Sequence, residues 1–164
     1  MEQASLDLED AVATSSTGDL WLFRGRSLPD VWTGERQRGV QLHVLADAAA
    51  VWMARHRQRA WVRHLEGEIE RRHEDRLMET IERFDGRPFP TTPGLVRQWL
   101  TGRLRRSSKL EAIYCAELVA ATYQHMGLLP RRRPASWYDP GRFWSGDRIA
   151  LEPPFALEPE VPVR

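Results

Sequence analysis

Cysteine is almost absent from this sequence: among 164 residues there is one, Cys115. That excludes an internal disulfide framework and a cysteine-rich zinc cluster. Lysine is as scarce. Lys109 is the only one, so arginine supplies nearly all of the 24 Lys+Arg, giving planar, permanently charged forks in place of flexible ammonium groups. An excess of one charge is lacking too. The 24 cations face 23 Asp+Glu, a formal net of +1, which argues against a strongly basic nucleic-acid binder and an acidic disordered tail. No apolar run approaches the ~20 residues of a spanning helix, and the opening MEQASLDLED lacks the basic and apolar regions of a secretory signal. The expectation is a cytoplasmic chain with no transmembrane segment, in a reducing compartment where one thiol persists. Neither a glycine-rich phosphate loop nor a Gly-x-Ser-x-Gly elbow occurs, which removes nucleotide-dependent enzymes and common serine hydrolases. With no His-x-x-x-His pair on a helical face, neither metal nor other cofactor is expected.

What is present suffices for a core. Apolar residues make up 41%, with seven Trp, and the length suits one domain. Residues 1–16 read as a disordered leader, 17–152 as a single domain, and 153–164 as a loose Pro-rich tail. DLWLF (19–23), between Gly18 and Gly25, predicts a buried strand. Residues 24–39 read as a long loop. VQLHVLA (40–46) alternates, with Val40, Leu42, Val44 and Ala46 on one face and Gln41, His43 and Leu45 on the other. With AAVWMAR (49–55) and RAWVRHL (59–65) it predicts an antiparallel meander. Leu65, Ile69, His73, Leu77, Ile81 and Phe84 form a helical stripe closed by Asp85-Gly86. Pro88, Pro90 and Pro93 predict a rigid loop, and 94–104 a short helix. The segment 110–126 predicts a helix ended by Gly127 and Pro130. Beyond it an ordered coil is expected, with one strand at 148–151.

Two residue types could carry chemistry. Cys115 is either a small buried apolar residue or a reactive thiol. With Ile113 or Tyr114 as the first helical residue, its sulfur falls in the first turn, where unpaired N–H groups and the dipole favour the thiolate. It shares a face with Leu118, Val119, Thr122 and Met126, which points it inward; position alone favours a buried structural residue. His43 is the best candidate base, since an imidazole beside a thiol can take its proton; the alternative is a structural or solvent-facing histidine. His56 and His64 lie among arginines, His73 on the helix stripe, and His125 near a helix end. The basic runs at 103–106 and 131–133 lack interleaved aromatics and read as solvated loop charge, so no nucleic-acid partner is expected.

Four stretches together carry a resemblance: Thr17-Gly18-Asp19-Leu20 with Trp21-Leu22-Phe23, Leu42-His43-Val44, Gly86-Arg87-Pro88-Phe89, and Tyr114-Cys115-Ala116-Glu117-Leu118-Val119-Ala120 with Tyr123, Gly127-Leu128-Leu129 and Asp139-Pro140. Their order resembles the YiiX/YebB-like, circularly permuted NlpC-type (papain-like) cysteine hydrolases, in which the histidine strand precedes the cysteine helix. The resemblance covers roughly 17 to 150. It implies an α+β papain-like fold, a small antiparallel sheet packed against helices, and a Cys115–His43 pair acting on a peptide, an acyl-lipid or another amide or ester substrate, with the Cys115 N–H helping to hold the oxyanion. The sequence departs from the family where Leu45 replaces a glycine, and where Met53 or Ala54 stands at the position of the carboxylate that orients the imidazole. Gln41 or Asp47 could substitute. A catalytically degenerate relative serving as a binding or regulatory module is the alternative.

Overall fold

The structure, a computed structural model, describes residues 5–24, 30–35, 39–88 and 107–164, with 107–114 as helical backbone alone. Its elements in order are α1 (Leu8–Ala13), β1 (Leu20–Arg24), α2 (Leu45–Ala50) running into a π-helical turn (Val51–Arg55), β2 (Arg59–Arg63), β3 (Leu65–Glu66), α3 (Arg71–Phe84), α4 (Ser107–Met126), three 3₁₀ turns between Ala135 and Asp147, β4 (Ala156–Leu157) and β5 (Val161–Val163). The chain is α+β, with a small antiparallel sheet and helices around it.

The sheet has the order β1-β2-β5, and β3 and β4 form a separate two-stranded ribbon. Trp21 faces Val62 and Phe23 faces Ala60 across the β1–β2 pair. Because side chains alternate along a strand, β1 serves two cores. Leu20 and Leu22 join a cluster with Ala120, Tyr123, Met126, Leu128 and Phe143, while Trp21 and Phe23 pack on Ala11, Ala60, Val62 and Val163. The compact run at 19–23 is therefore the doubly buried strand its apolar character predicted.

Helix α3 bears the expected stripe: His73 is buried and Leu77 packs against the first core. Its start is fixed by a capping box in which His73 Nδ1 accepts from the Glu70 N–H at 2.9 Å. Helix α4 ends as expected, with Gly127 at φ +87°, a conformation that glycine adopts without Cβ strain.

Several expectations are corrected. Residues 40–44 are extended without a strand ladder, 45–50 are helical, and 51–55 form the π turn. The run Ala48-Ala49-Ala50 favours a helix, and Ala48 and Ala49 are buried. Of the meander, 59–65 alone gives strands. No strand forms at 148–151.

The two ends, expected as leader and tail, are joined. Asp7 caps α1, its carboxylate accepting from the Asp10 N–H at 2.8 Å, and Leu6 bridges Val163 in parallel. The Leu6 N–H donates to Pro162 O at 3.0 Å, and the Arg164 N–H to Leu6 O at 2.9 Å. Arg63, 3% exposed, fastens the C-terminal segment by donating to the carbonyls of Phe143, Leu157 and Glu158 at 2.6, 3.0 and 2.6 Å. Three carbonyl acceptors satisfy a guanidinium that burial would otherwise penalise. Desolvation pulls its pKa below the usual arginine value. The predicted loop through Pro90 and Pro93 and the helix at 94–104 lie outside the described residues.

Candidate active site

Two antiparallel contacts fix the segment that carries His43. The Val40 N–H donates to Arg87 O at 2.9 Å, and the Gly86 N–H returns to Val40 O at 3.0 Å. Gly39 pairs with Pro88, and a Cβ at Gly39 would collide with the Arg87 carbonyl. The turn closing α3 thus holds residues 39–40 at van der Waals range, and the chain runs on from there extended. The alternation read from 40–46 survives at 41–44. Leu42 and Val44 are 63% and 60% exposed, while Gln41 and His43 turn inward.

Inward-facing Gln41 links two groups. Its Nε2 donates to Asp30 Oδ2 at 2.5 Å, and its Oε1 faces His43 Nε2 at 2.8 Å. A carboxylate can only accept, so Asp30 obliges the amide to present its NH2 there and its oxygen to the imidazole. Nε2 of His43 therefore carries a proton, and in the neutral ring Nδ1 holds the lone pair. That Nδ1 is buried and without a hydrogen-bond partner among the described residues. Asp30 is set in turn by the Trp32 and Thr33 N–H groups, which donate to its Oδ1 at 2.9 and 2.7 Å. The Thr33 N–H, above all, holds the carboxyl below its ordinary pKa despite desolvation, and Gln41 adds to the effect. The imidazole also packs edge-on against Trp52 at 6.0 Å, and Trp52 against Phe23 of β1 at 4.9 Å.

The hydrogen-bond partner of the His43 imidazole is therefore Gln41, itself bonded to Asp30. Asp47 lies in the first turn of α2 and favours the helix dipole there. Met53, where the family pattern has a carboxylate, packs with the second core. Sequence reasoning missed Asp30. The Asp30-x-x-Thr33-Gly34 loop is a recognisable Asx turn, but its contact with Gln41 is tertiary.

Cys115 departs from expectation in two ways. It lies eight residues beyond Ser107 within α4, so its N–H belongs to the helix ladder and is not an oxyanion donor, and the dipole of the first turn is remote. It is also exposed, not turned into the core. Leu118 and Thr122, three and seven positions further on and hence on its face, line a groove with Val40, Gln41 and Leu42 and with Leu77, Ile81 and Phe84 of α3. The structure thus brings Asp30, Gln41 and His43 together, while helical spacing puts Cys115 on the α4 face that carries Leu118 and Thr122.

Three other histidines are engaged elsewhere: His64 Nδ1 with Asp19 at 2.8 Å, His73 Nδ1 with the Glu70 N–H at 2.9 Å, and His125 Nε2 with Glu79 at 2.6 Å. Asp19 also accepts from the Leu65 N–H at 2.8 Å, and Tyr123 donates its hydroxyl to Gly18 O, so the Gly18-Asp19 pair joins β1 to β3 and α4. Desolvation pushes the Tyr123 phenol well above its usual range. Among the described residues no group of three or more His, Cys, Asp or Glu could hold a metal ion, and no helix is long and apolar enough to cross a membrane. No protein-family model, curated protein or solved structure matches the chain.

Proposed function

We propose that this chain is a papain-like cysteine hydrolase or acyltransferase of the permuted NlpC type, acting on an amide, ester or thioester, with Cys115 as nucleophile and His43 as base. The observation that carries the reading is the Asp30–Gln41–His43 chain, which leaves Nδ1 as the basic nitrogen. In the reaction the Cys115 Sγ–H bond yields its proton to Nδ1, and the thiolate attacks the substrate carbonyl. The imidazolium returns the proton to the leaving group as the acyl–sulfur bond stands. Water, or a second acceptor, then releases the acyl group, with Nδ1 taking its proton. Gln41 Oε1 holds the Nε2–H throughout and strengthens as an acceptor when the ring is cationic. Burial of Nδ1 keeps bulk water from competing for its lone pair. Leu42, Leu77, Ile81 and Leu118 line the groove beside Gln41 and suit an apolar substrate portion, such as an acyl chain or a hydrophobic peptide side chain. An exposed thiol nucleophile accords with a reducing compartment such as the cytoplasm.

The placement of Cys115 deep in α4 favours a second reading, a family member that binds a partner without catalysis. Iodoacetamide labelling and acyl-substrate profiling of the full chain separate the two. On the hydrolase reading Cys115 alkylates faster at neutral pH than an unstructured thiol, His43→Ala abolishes the advantage, and Cys115→Ala abolishes turnover. Labelling at the rate of an unstructured thiol, unchanged by His43→Ala, refutes it.

A further inference from the structure

A second cleft, of about 490 Å³, is built from the segment after α4 and shares no lining residue with the groove at Gln41. Its lining includes four arginines, Arg132, Arg133, Arg142 and Arg148, and one acidic residue, Asp147. Asp147 is engaged by Arg142 at 3.0 Å. Among the described residues no carboxylate comes within ion-pair distance of Arg132, Arg133 or Arg148. Arg142 Nε is buried without a hydrogen-bond partner. Like charges around one cleft and an unsatisfied donor both favour an anion there.

The walls are held in place. Gln124 of α4 donates from Nε2 to Pro130 O at 3.0 Å and to Arg133 O at 2.7 Å, tying the arginine run to the helix. Asp139 caps the turn that carries Arg142, accepting from the Gly141 N–H at 2.9 Å. The Trp137 indole is 39% exposed. Arg142 and Arg133 approach its ring centroid to 3.7 and 5.1 Å, and such stacking pre-orients the planar forks. The arginine run at 131–133 looked in sequence like solvated charge without an aromatic partner; the fold supplies that partner.

We propose that this cleft binds a small molecule carrying two or more phosphate groups. Guanidinium forks match phosphate oxygens pairwise, and several arginines without carboxylate partners fit an anion of multiple charge. The volume lies in the small-molecule range of ~300–1,000 Å³. A chain with formal net charge +1 presents this as a local positive site, unlike the extended basic face of a nucleic-acid binder.

Isothermal titration of the full chain with inorganic pyrophosphate tests the site, and its outcome is independent of Cys115. The expected result is one pyrophosphate per chain, bound more tightly than orthophosphate and more weakly as salt rises. Arg132→Gln/Arg148→Gln should weaken it at least ~10-fold, and Arg132→Lys/Arg148→Lys should lose less. Arg71→Ala/Arg72→Ala, which removes the same charge from an exposed part of α3, should leave it intact. Thermal unfolding verifies that each variant is folded; the lysine variant provides the comparison should the glutamine variant not fold. Absence of pyrophosphate binding overturns the proposal, as does equal loss in the α3 control. Cleft-dependent binding of an RNA oligonucleotide without pyrophosphate binding overturns it in favour of a nucleic-acid site.

Discussion

Replacing Gln41 by Leu keeps the volume near that of the native side chain and removes the single acceptor of the His43 Nε2–H, a contact of 2.8 Å. In the resting state that is a neutral hydrogen bond, with a net contribution of about 0.5–1.5 kcal/mol. In the thiolate–imidazolium state the donor is charged, and the contribution rises to about 1.5–3 kcal/mol. At about 1.4 kcal/mol per decade, removing the bond should slow every step that forms the imidazolium by ~10- to 150-fold. Cys115 is the only cysteine, so alkylation of the whole chain by iodoacetamide reports one site. The expected outcome for Gln41→Leu is a second-order rate at neutral pH lowered by at least ~10-fold, approaching that of His43→Ala. The far-UV spectrum should be unchanged, because α2 and α3 make no use of the amide. A rate within about twofold of wild type in a folded Gln41→Leu chain, less than the ~10-fold the hydrogen bond requires, refutes the coupling. The same result in His43→Ala removes the base altogether.

Four further outcomes follow from the geometry. Arg63→Met strands the carbonyls of Phe143, Leu157 and Glu158 and should cost about 3–5 kcal/mol in urea unfolding; a loss below ~1 kcal/mol, the scale of one ordinary hydrogen bond, contradicts the fastening role. Gly39→Ala forces a methyl group onto the Arg87 carbonyl, and should cost about 1–3 kcal/mol as overpacking while displacing Gln41 and His43, read as lower stability together with slower Cys115 alkylation. Asp30 is held below its ordinary pKa, chiefly by the Thr33 N–H. The stability it supplies is complete above the ordinary carboxylate range and lost as pH falls through the lowered folded value. Thermal midpoints of Asp30→Asn should therefore fall less steeply with acid than those of the wild type; equal slopes contradict the assignment. Glu117 has the opposite sign. Burial raises its pKa, so its contribution worsens as pH rises, and Glu117→Gln should raise the midpoint at neutral pH.

How much of this was legible differs by element. Helix α3 and helix α4 were readable because apolar spacing and a closing glycine are local properties, and both glycines take the positive φ that their positions require. β1 was readable as a short apolar run. The stretch 40–55 was misread because alternation and apolar content fit a strand as well as an extended arm followed by a helix. The decisive local signal, three consecutive alanines after Asp47, was outweighed by Val51, Trp52 and Met53. At Cys115 a helix start at Ile113 or Tyr114 would put the thiol in the first turn, but α4 already includes Ser107, six or seven residues earlier.

The sequence by itself determined the inventory: one thiol, a near-balanced charge dominated by arginine, enough apolar mass for a core, and a histidine whose neighbour two positions before is a glutamine. It also determined which face of α3 would be buried, because that follows from a period of 3.6. The tertiary structure alone decided that Asp30 meets Gln41, that Leu6 pairs beside Val163, that Arg63 finds three carbonyls about 80 to 95 positions away in the chain, and that Trp137 faces Arg133 and Arg142. Each depends on groups brought together by closing a loop. The loss of chain entropy in that closure is offset by burial elsewhere in the fold, so no window of neighbouring residues contains the information.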